Sequence, residues 1–237
     1  MSGRLQDRHC FITGASRGIG KAVAKLFAAE GAHVIALART QGGLEELDDE
    51  IRSAGGTPPT LITEDLTNFD AIDQIGAALF ERFGKIDVLV ANGGILGSLT
   101  PVSHIKPKEW DEVIATNLTA SYRLIRSFEP LLRQSDAGRA IFVTSGAADG
   151  ARPYWATYGI SKGALEVMVK TWSQEILKTK IKANLLNPGR TRTPMRAKAF
   201  PGEDPATLPT PEDIAKAFLP LALPECTRHG EVVNAQE

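Results

Sequence analysis

Cysteine, charge of one sign and long apolar runs are all scarce in this chain of 237 residues. The only cysteines are Cys10 and Cys226, too few for a disulfide framework and too far apart for a metal-ligand spacing. Cys10 lies in an apolar run that reads as a buried strand, and a reduced cytoplasm is the expected setting. His9, His33, His104 and His229 are scattered without an HExxH or paired spacing, so no metal site is expected. The 27 basic and 28 acidic residues leave a formal net charge of -1 with no long block of either sign. That balance argues against nucleic acid or an anionic membrane as a partner. No uninterrupted apolar stretch approaches the ~20 residues needed to span a bilayer, and Met1 to Arg8 lacks the apolar core of a signal peptide. A soluble protein is expected. Internal repeats and low-complexity segments are absent too.

A chain of this length fits one α/β domain and can bury roughly 70 to 75% of the surface its unfolded form exposes. Apolar runs of strand length occur at His9 to Thr13, His33 to Ala38, Thr60 to Thr63, Ile86 to Ala91, Ala140 to Ser145 and Ile181 to Asn187. Between them, Leu44, Leu47 and Ile51 recur at helical spacing, as do Ile72, Ile75, Leu79 and Phe83. The alternation predicts a single doubly wound parallel sheet of the Rossmann-like α/β kind, with helices on both faces and ligands at the carboxyl ends of the strands. Pro188 to Pro211 is the one long irregular stretch, and structureless segments of that length are usually functional or disordered.

Two motifs sit where such a fold places its site. Thr13-Gly14-Ala15-Ser16-Arg17-Gly18-Ile19-Gly20 follows the first strand and precedes a helical pattern from Lys21 to Glu30. Glycines permit a tight turn and close approach to a pyrophosphate, and the free N-H groups at a helix start favour its charge. Tyr158-Gly159-Ile160-Ser161-Lys162 puts a phenol and an ammonium one helical turn apart on one face. The cation is expected to lower the tyrosine pKa toward the range in which a general acid or base works best. Lowering it by roughly three units needs about 4 kcal/mol, so a second positive charge, such as an oxidised nicotinamide ring, is expected to assist. Ser145, 13 residues before the tyrosine, is placed to hydrogen-bond a substrate carbonyl or hydroxyl in the same pocket. Asn117 occupies a long helical pattern opened by Pro107, where asparagine is a poor interior residue.

TGASRGIG, Asn117, Ser145, YGISK and NPGRTRT together resemble the short-chain dehydrogenase/reductase family in its common single-domain form, over nearly the whole chain. The resemblance implies catalytic roles for Asn117, Ser145, Tyr158 and Lys162. It also implies that Asn117 perturbs its helix and holds a water linking the lysine to solvent. Cofactor contacts are expected from Gly14, Ser16, Arg17, Gly18, Ile19 and Gly20, from Asp65 and Leu66, and from Asn92, Gly93 and Gly94. Tyr158 and Lys162 are expected to contact the cofactor as well, as are Pro188, Gly189, Thr191 and Thr193. Asp65 resembles the adenine-contacting acid of the family, with helix capping as its other role. The family's usual Asn-Asn-Ala-Gly reads Ala91-Asn92-Gly93-Gly94 here, so the first asparagine and its structural hydrogen bonds are missing.

Cofactor choice is read from the end of the second strand, where an NAD-preferring protein places Asp or Glu about 20 residues beyond the glycines. Ala38 and Arg39 stand there instead, and Arg39 with Arg17 could hold a 2'-phosphate, so NADP(H) is expected. The expected chemistry is hydride transfer between nicotinamide and a carbonyl or secondary alcohol, with Tyr158 as general acid/base. A non-catalytic NADP(H) sensor and an isomerase or dehydratase on the same fold are the alternatives. Substrate choice is assigned to Ile95 to Thr100, Gly146 to Trp155 and Met195 to Leu208. Tyr154 and Trp155 are candidates for an apolar wall there, and Arg152, Arg192 and Arg196 for an anionic group. A homodimer or homotetramer through the Asn117 and Tyr158 helices is implied by the resemblance. The closing Val232-Val233-Asn234 stretch departs from the family's usual Val-Asp-Gly-Gly ending and leaves the last strand open.

Overall fold

In the computed structural model, which describes residues 3–236, seven parallel strands form one sheet in the order β3-β2-β1-β4-β5-β6-β7. These are β1 (His9–Thr13), β2 (His33–Ala38), β3 (Thr60–Thr63), β4 (Val88–Ala91), β5 (Arg139–Val143), β6 (Lys182–Asn187) and β7 (Val232–Asn234). The first three strands coincide with the apolar runs of the sequence. Strands β4, β5 and β6 start or stop within two residues of theirs. Register is fixed by alternation. Cys10 lies opposite both Val34 and Val88 and points with Ile12 into one core, while Phe11 points into the other, its ring 4.3 Å from that of Phe128.

Helices α1 (Gly18–Ala29) and α2 (Gln41–Ser53) cover the first face, joined near the end of the chain by α8 (Pro211–Ala215) and α9 (Leu219–Ala222). The opposite face is covered by α3 (Phe69–Phe83), α5 (Ala120–Gln134) and α6 (Ala156–Glu175). Helix α1 begins three residues earlier than the pattern suggests, because Gly18 to Gly20 form its first turn rather than a loop before it. Pro188 to Pro211 is also less irregular than its composition implies. It contains α7 (Pro194–Ala199), started by proline at the first helical position and by the Thr193 hydroxyl, which accepts from the Arg196 N-H at 3.2 Å. A 3-10 turn, Pro205–Thr207, follows. Strand β7 forms in parallel beside β6 despite its unusual sequence.

The chain leaves β1 toward β2 and β3 and returns through β4 on its other side, so the sheet order reverses between β1 and β4. A crevice opens at the carboxyl end of such a reversal. No helix among the described residues is long and apolar enough to cross a membrane. None of their side chains group as a metal site.

Candidate active site

A cavity of about 530 Å³ opens at that reversal. Its walls run from Arg39 and Asp65, beyond β2 and β3, past the glycine turn and Asn92 to Gly94, to Ser145, Tyr158 and Lys162. Every predicted site residue except Asn117 and Gly20 lines it. Gly20 instead supports the turn from beneath. A Cβ there would collide with the Gly14 carbonyl and come within 2.5 Å of Asn92 Nδ2. Gly14 has φ +65°, a conformation costly for any residue with a Cβ. The first turn of α1 carries no acidic side chain, and Arg17 at its start makes no capping bond, so its N-H groups face the cavity free of local competition. The turn therefore fits a pyrophosphate.

Asn92 takes over the bracing for which the sequence offers no other asparagine. Its Nδ2 donates to the Thr13 carbonyl at 3.0 Å, and the N-H groups of Asn92 and Gly93 both donate to Thr13 Oγ1 at 3.0 Å. These bonds tie β4 to β1 at the cavity floor, and Thr13, which the sequence marks only as the start of the glycine turn, is fully buried. A Cβ on Gly93 would collide with Leu66, so the departure from alanine there matches the packing of this chain.

At the outer end, Arg39 is held 3.4 Å from the Asp65 carboxylate and stays largely exposed. Asp65 is not the cap of α3, so the capping role the sequence allowed it is not the one it plays. Asn68 caps that helix by accepting from the Ala71 N-H, while Asp65 Oδ1 accepts from the Thr67 N-H and hydroxyl at 2.8 Å each. Burial pushes the Asp65 carboxyl upward, but those bonds and Arg39 outweigh it and hold it below its ordinary range.

Tyr158 and Lys162 both point into the cavity from α6, as their spacing requires, and both are buried. The ammonium lies 5.9 Å from the centre of the phenol ring and donates to the Val143 carbonyl at 2.7 Å. With three donors on the ammonium and this one acceptor among the described residues, the group retains hydrogen-bonding capacity toward the cavity. Burial lowers its pKa to about 8. The tyrosine departs from expectation: burial raises its pKa, the Ser145 hydroxyl opposes that, and no lowering by Lys162 is evident. Desolvation wins because the phenolate would be formed almost out of contact with water.

Ser145 sits two residues beyond β5 rather than at its last position, half-buried, with its hydroxyl accepting from the Ala147 N-H at 3.2 Å. Asn117 stands apart from the cavity wall. It lies in a five-residue π segment, Ala115–Thr119, between α4 (Pro107–Ile114) and α5, where the Ala120 N-H reaches back to the Ala115 carbonyl. The helix is thus perturbed at the predicted residue. The Asn117 side chain accepts from the Ile95 N-H at 2.8 Å and donates to the Ile95 carbonyl at 2.9 Å and to Ser161 Oγ at 3.0 Å. Ser161 in turn donates to the Tyr158 carbonyl at 2.7 Å. The loop after β4 and the tyrosine helix are fastened together through one amide, a link that Ser161 completes and sequence reading missed.

Thr191 is buried, and the Thr193 hydroxyl is engaged as the cap of α7, although both line the cavity. On the substrate side, Leu96, Leu99, Ala147, Trp155, Met195 and Ala199 pack around Tyr158. Trp155 supplies the expected wall, its ring 6.0 Å from Tyr158 and 5.6 Å from Phe200. Tyr154 does not: it is 57% exposed and turned outward on a backbone with φ +74°. Of the three candidate arginines only Arg196 lines the cavity, and it is stacked on Phe200 and paired with Glu203 at 2.5 Å.

The chain is similar to known proteins over most of its length. The family model described as short chain dehydrogenase matches residues 8–204. The oxidoreductase YciK of Escherichia coli K12 is 36% identical over 217 residues, covering 91% of this chain and 86% of that protein. A 3-oxoacyl-[acyl-carrier-protein] reductase, FabG of Thermotoga maritima, is 34% identical over 243 residues, covering 98% and 97%. The crystal structure of a short chain dehydrogenase from Escherichia coli CFT073 complexed with NADPH superimposes with a TM-score of 0.96 at 34% identity, covering all of both chains.

Proposed function

The chain belongs to the short-chain dehydrogenase/reductase family and is an oxidoreductase of that kind, and from this premise we propose that it is an NADP(H)-dependent carbonyl reductase or alcohol dehydrogenase, working as one domain with residues 190–210 as its substrate loop. One observation carries the reading: a single crevice joins the glycine turn and Arg39 to Ser145, Tyr158 and Lys162.

Gly14, Ser16, Arg17, Gly18 and Ile19 would hold the pyrophosphate, with Gly20 supporting their turn. Arg39, with Arg17, would take the 2'-phosphate, Asp65 and Leu66 the adenine, and Asn92 to Gly94 the adjacent ribose. Pro188, Gly189, Thr191 and Thr193 would fix the carboxamide end. When bound, the nicotinamide supplies or accepts the hydride. The Ser145 hydroxyl donates to the carbonyl oxygen and orients it toward Tyr158. Tyr158 delivers the proton to that oxygen as it becomes an alcohol, and removes it in the reverse direction. Burial raises the phenol pKa, so Tyr158 carries at neutral pH the proton that reduction consumes. Lys162 would turn its remaining donors to the ribose hydroxyls and stabilise the phenolate left behind. Asn117 holds the widened turn through which a water would resupply the proton.

A panel of ketones, aldehydes and alcohols followed at the NADPH absorbance band, with NADH alongside, tests the reading. Turnover with NADPH is expected, and NADPH binding without turnover across the panel would favour a sensor. Product without net cofactor use would instead indicate an isomerase or dehydratase. Arg39→Ala is expected to weaken NADPH binding by roughly tenfold while barely changing NADH binding, the size of about one charge-assisted contact at an exposed arginine. Equal losses for both dinucleotides would remove Arg39 from phosphate recognition.

The assembly belongs to the same proposal. Tyr122 on α5 and Ile160 and Val167 on α6 are large apolar side chains between 49% and 66% exposed, as expected of helices that meet a second copy of the chain. Val167→Glu should shift a dimer or tetramer toward monomer in sedimentation velocity. An unchanged sedimentation coefficient would place the interface elsewhere.

A further inference from the structure

A second cavity of about 550 Å³ lies between α4 and α7. It shares Arg17, Gly94, Ile95, Leu96, Pro194 and Met195 with the first, so the two meet between the loop after β4 and the start of α7, beside the apolar wall around Tyr158. Its lining includes the apolar side chains of Ile95, Leu96, Pro194 and Met195 together with the buried Val113. Gly97 keeps that surface open: it has φ +71°, and a Cβ there would come within 2.8 Å of Val113. The rim is different. Lys106, Lys108 and Lys198 stand on it beside Arg17, against the carboxylates Glu109 and Glu112.

Four cations against two carboxylates leave an excess of positive charge in a chain whose overall charge is close to neutral. Other arginines around the same crevice each have a carboxylate partner: Arg39 has Asp65, and Arg190 and Arg196 share Glu203. Among the described residues, no carboxylate pairs with Arg17, Lys106, Lys108 or Lys198, although Glu109 and Glu112 share the cavity with them. Three lysines facing one concave space repel one another, and an anion relieves that repulsion more effectively inside a recess than on a flat surface. Arg17 is already assigned to the cofactor, which leaves the lysines without a role in the first cavity. We propose that the second cavity receives the anionic tail of the carbonyl substrate, a phosphate or carboxylate carried on an apolar linker, with Lys106, Lys108 and Lys198 as its counter-charges. The linker passes over Ile95, Leu96 and Met195, apolar residues that line both cavities, and leaves the carbonyl at Ser145 and Tyr158. This rests on the reading of the first cavity as the carbonyl site.

The test is a binding measurement, so it does not depend on turnover. Hexyl phosphate, hexanoate and hexanol are titrated by calorimetry into the full chain preloaded with NADPH. At least one of the two anions should bind ~10-fold or more tightly than hexanol at low salt, with the advantage shrinking as salt is added. Tightening by the phosphate alone identifies a phosphoryl tail, and comparable tightening by both anions shows that a carboxylate suffices. In the triple variant K106Q/K108Q/K198Q the preference should fall below about threefold with NADPH affinity unchanged. Equal affinity for all three compounds, a preference that survives the triple substitution, or one that appears only without NADPH would each overturn the proposal. If the anion preference holds while the carbonyl panel gives no turnover, the reductase reading fails and the seat for an anion stands.

Discussion

Tyr158→Phe is expected to cut NADPH-dependent carbonyl reduction by at least ~100-fold while leaving NADPH affinity nearly intact, because it removes one proton donor and little else. The ring would keep its packing. Trp155 meets the Tyr158 ring edge-on at 6.0 Å, and Leu96 and Ala147 lie against it, contacts that a phenylalanine retains. The loss should fall on kcat more than on KM, since the proton moves only as the carbonyl is reduced. Burial also predicts an asymmetry between the two directions. A phenol whose pKa is raised is protonated at neutral pH and must lose its proton before it can act as a base. The oxidative rate of the native protein should therefore climb with pH, while the reductive rate should not. Near-normal turnover in the variant, measured at saturating NADPH, would remove Tyr158 from the mechanism.

How far the sequence discloses this site depends on the range of the interactions involved. β1, β2 and β3 are legible to the residue because each apolar run is bounded by turn residues or polar side chains, and the fold class follows from their alternation with helical patterns. Tyr158 and Lys162 are legible because their juxtaposition follows from helix geometry alone. What the sequence hides is contact between distant segments. Nothing local says that Asn92 reaches the Thr13 carbonyl, 79 positions away, or that Asn117 bonds both Ile95 and Ser161. Nor does it say that Glu166, one turn beyond Lys162, is buried to accept the Thr144 hydroxyl at 2.8 Å, which steadies the backbone beside Ser145. Helix α7 was hidden by composition, since the prolines that suggest an irregular loop are those that start helices. The tyrosine shift in the chain alone runs opposite to the one expected with an oxidised nicotinamide beside it, because charge proximity is visible in a sequence, whereas the extent of desolvation is set by α6, β5 and the loop after β4 together.

Lys162→Met is expected to lower turnover by ~100-fold or more and, at the same time, to stabilise the cofactor-free fold at pH 7. The lysine is 4% exposed and donates only to the Val143 carbonyl among the described residues, and burial draws its pKa from 10.5 to about 8. A folded pKa below the unfolded value means that between about pH 8 and 10.5 the unfolded chain binds more protons than the folded one. Stability contributed by this group therefore rises with pH across that window, and the full cost of burying the ammonium is present below it. That cost is roughly 3 kcal/mol. Methionine matches the length of the stem without a charge, and leaving the Val143 carbonyl unpaired returns about 1 kcal/mol of it. A net gain on the order of 2 kcal/mol should raise Tm by roughly 4 to 8 °C for a chain of this size. The gain should be largest at pH 7 and shrink as the native protein is melted at pH values approaching 10.5. A variant that is less stable than the native chain at pH 7, with a difference indifferent to pH, would show that the ammonium is not held under strain. In that case its catalytic contribution could not be attributed to a charge kept in a desolvated site for the phenolate and the ribose to use.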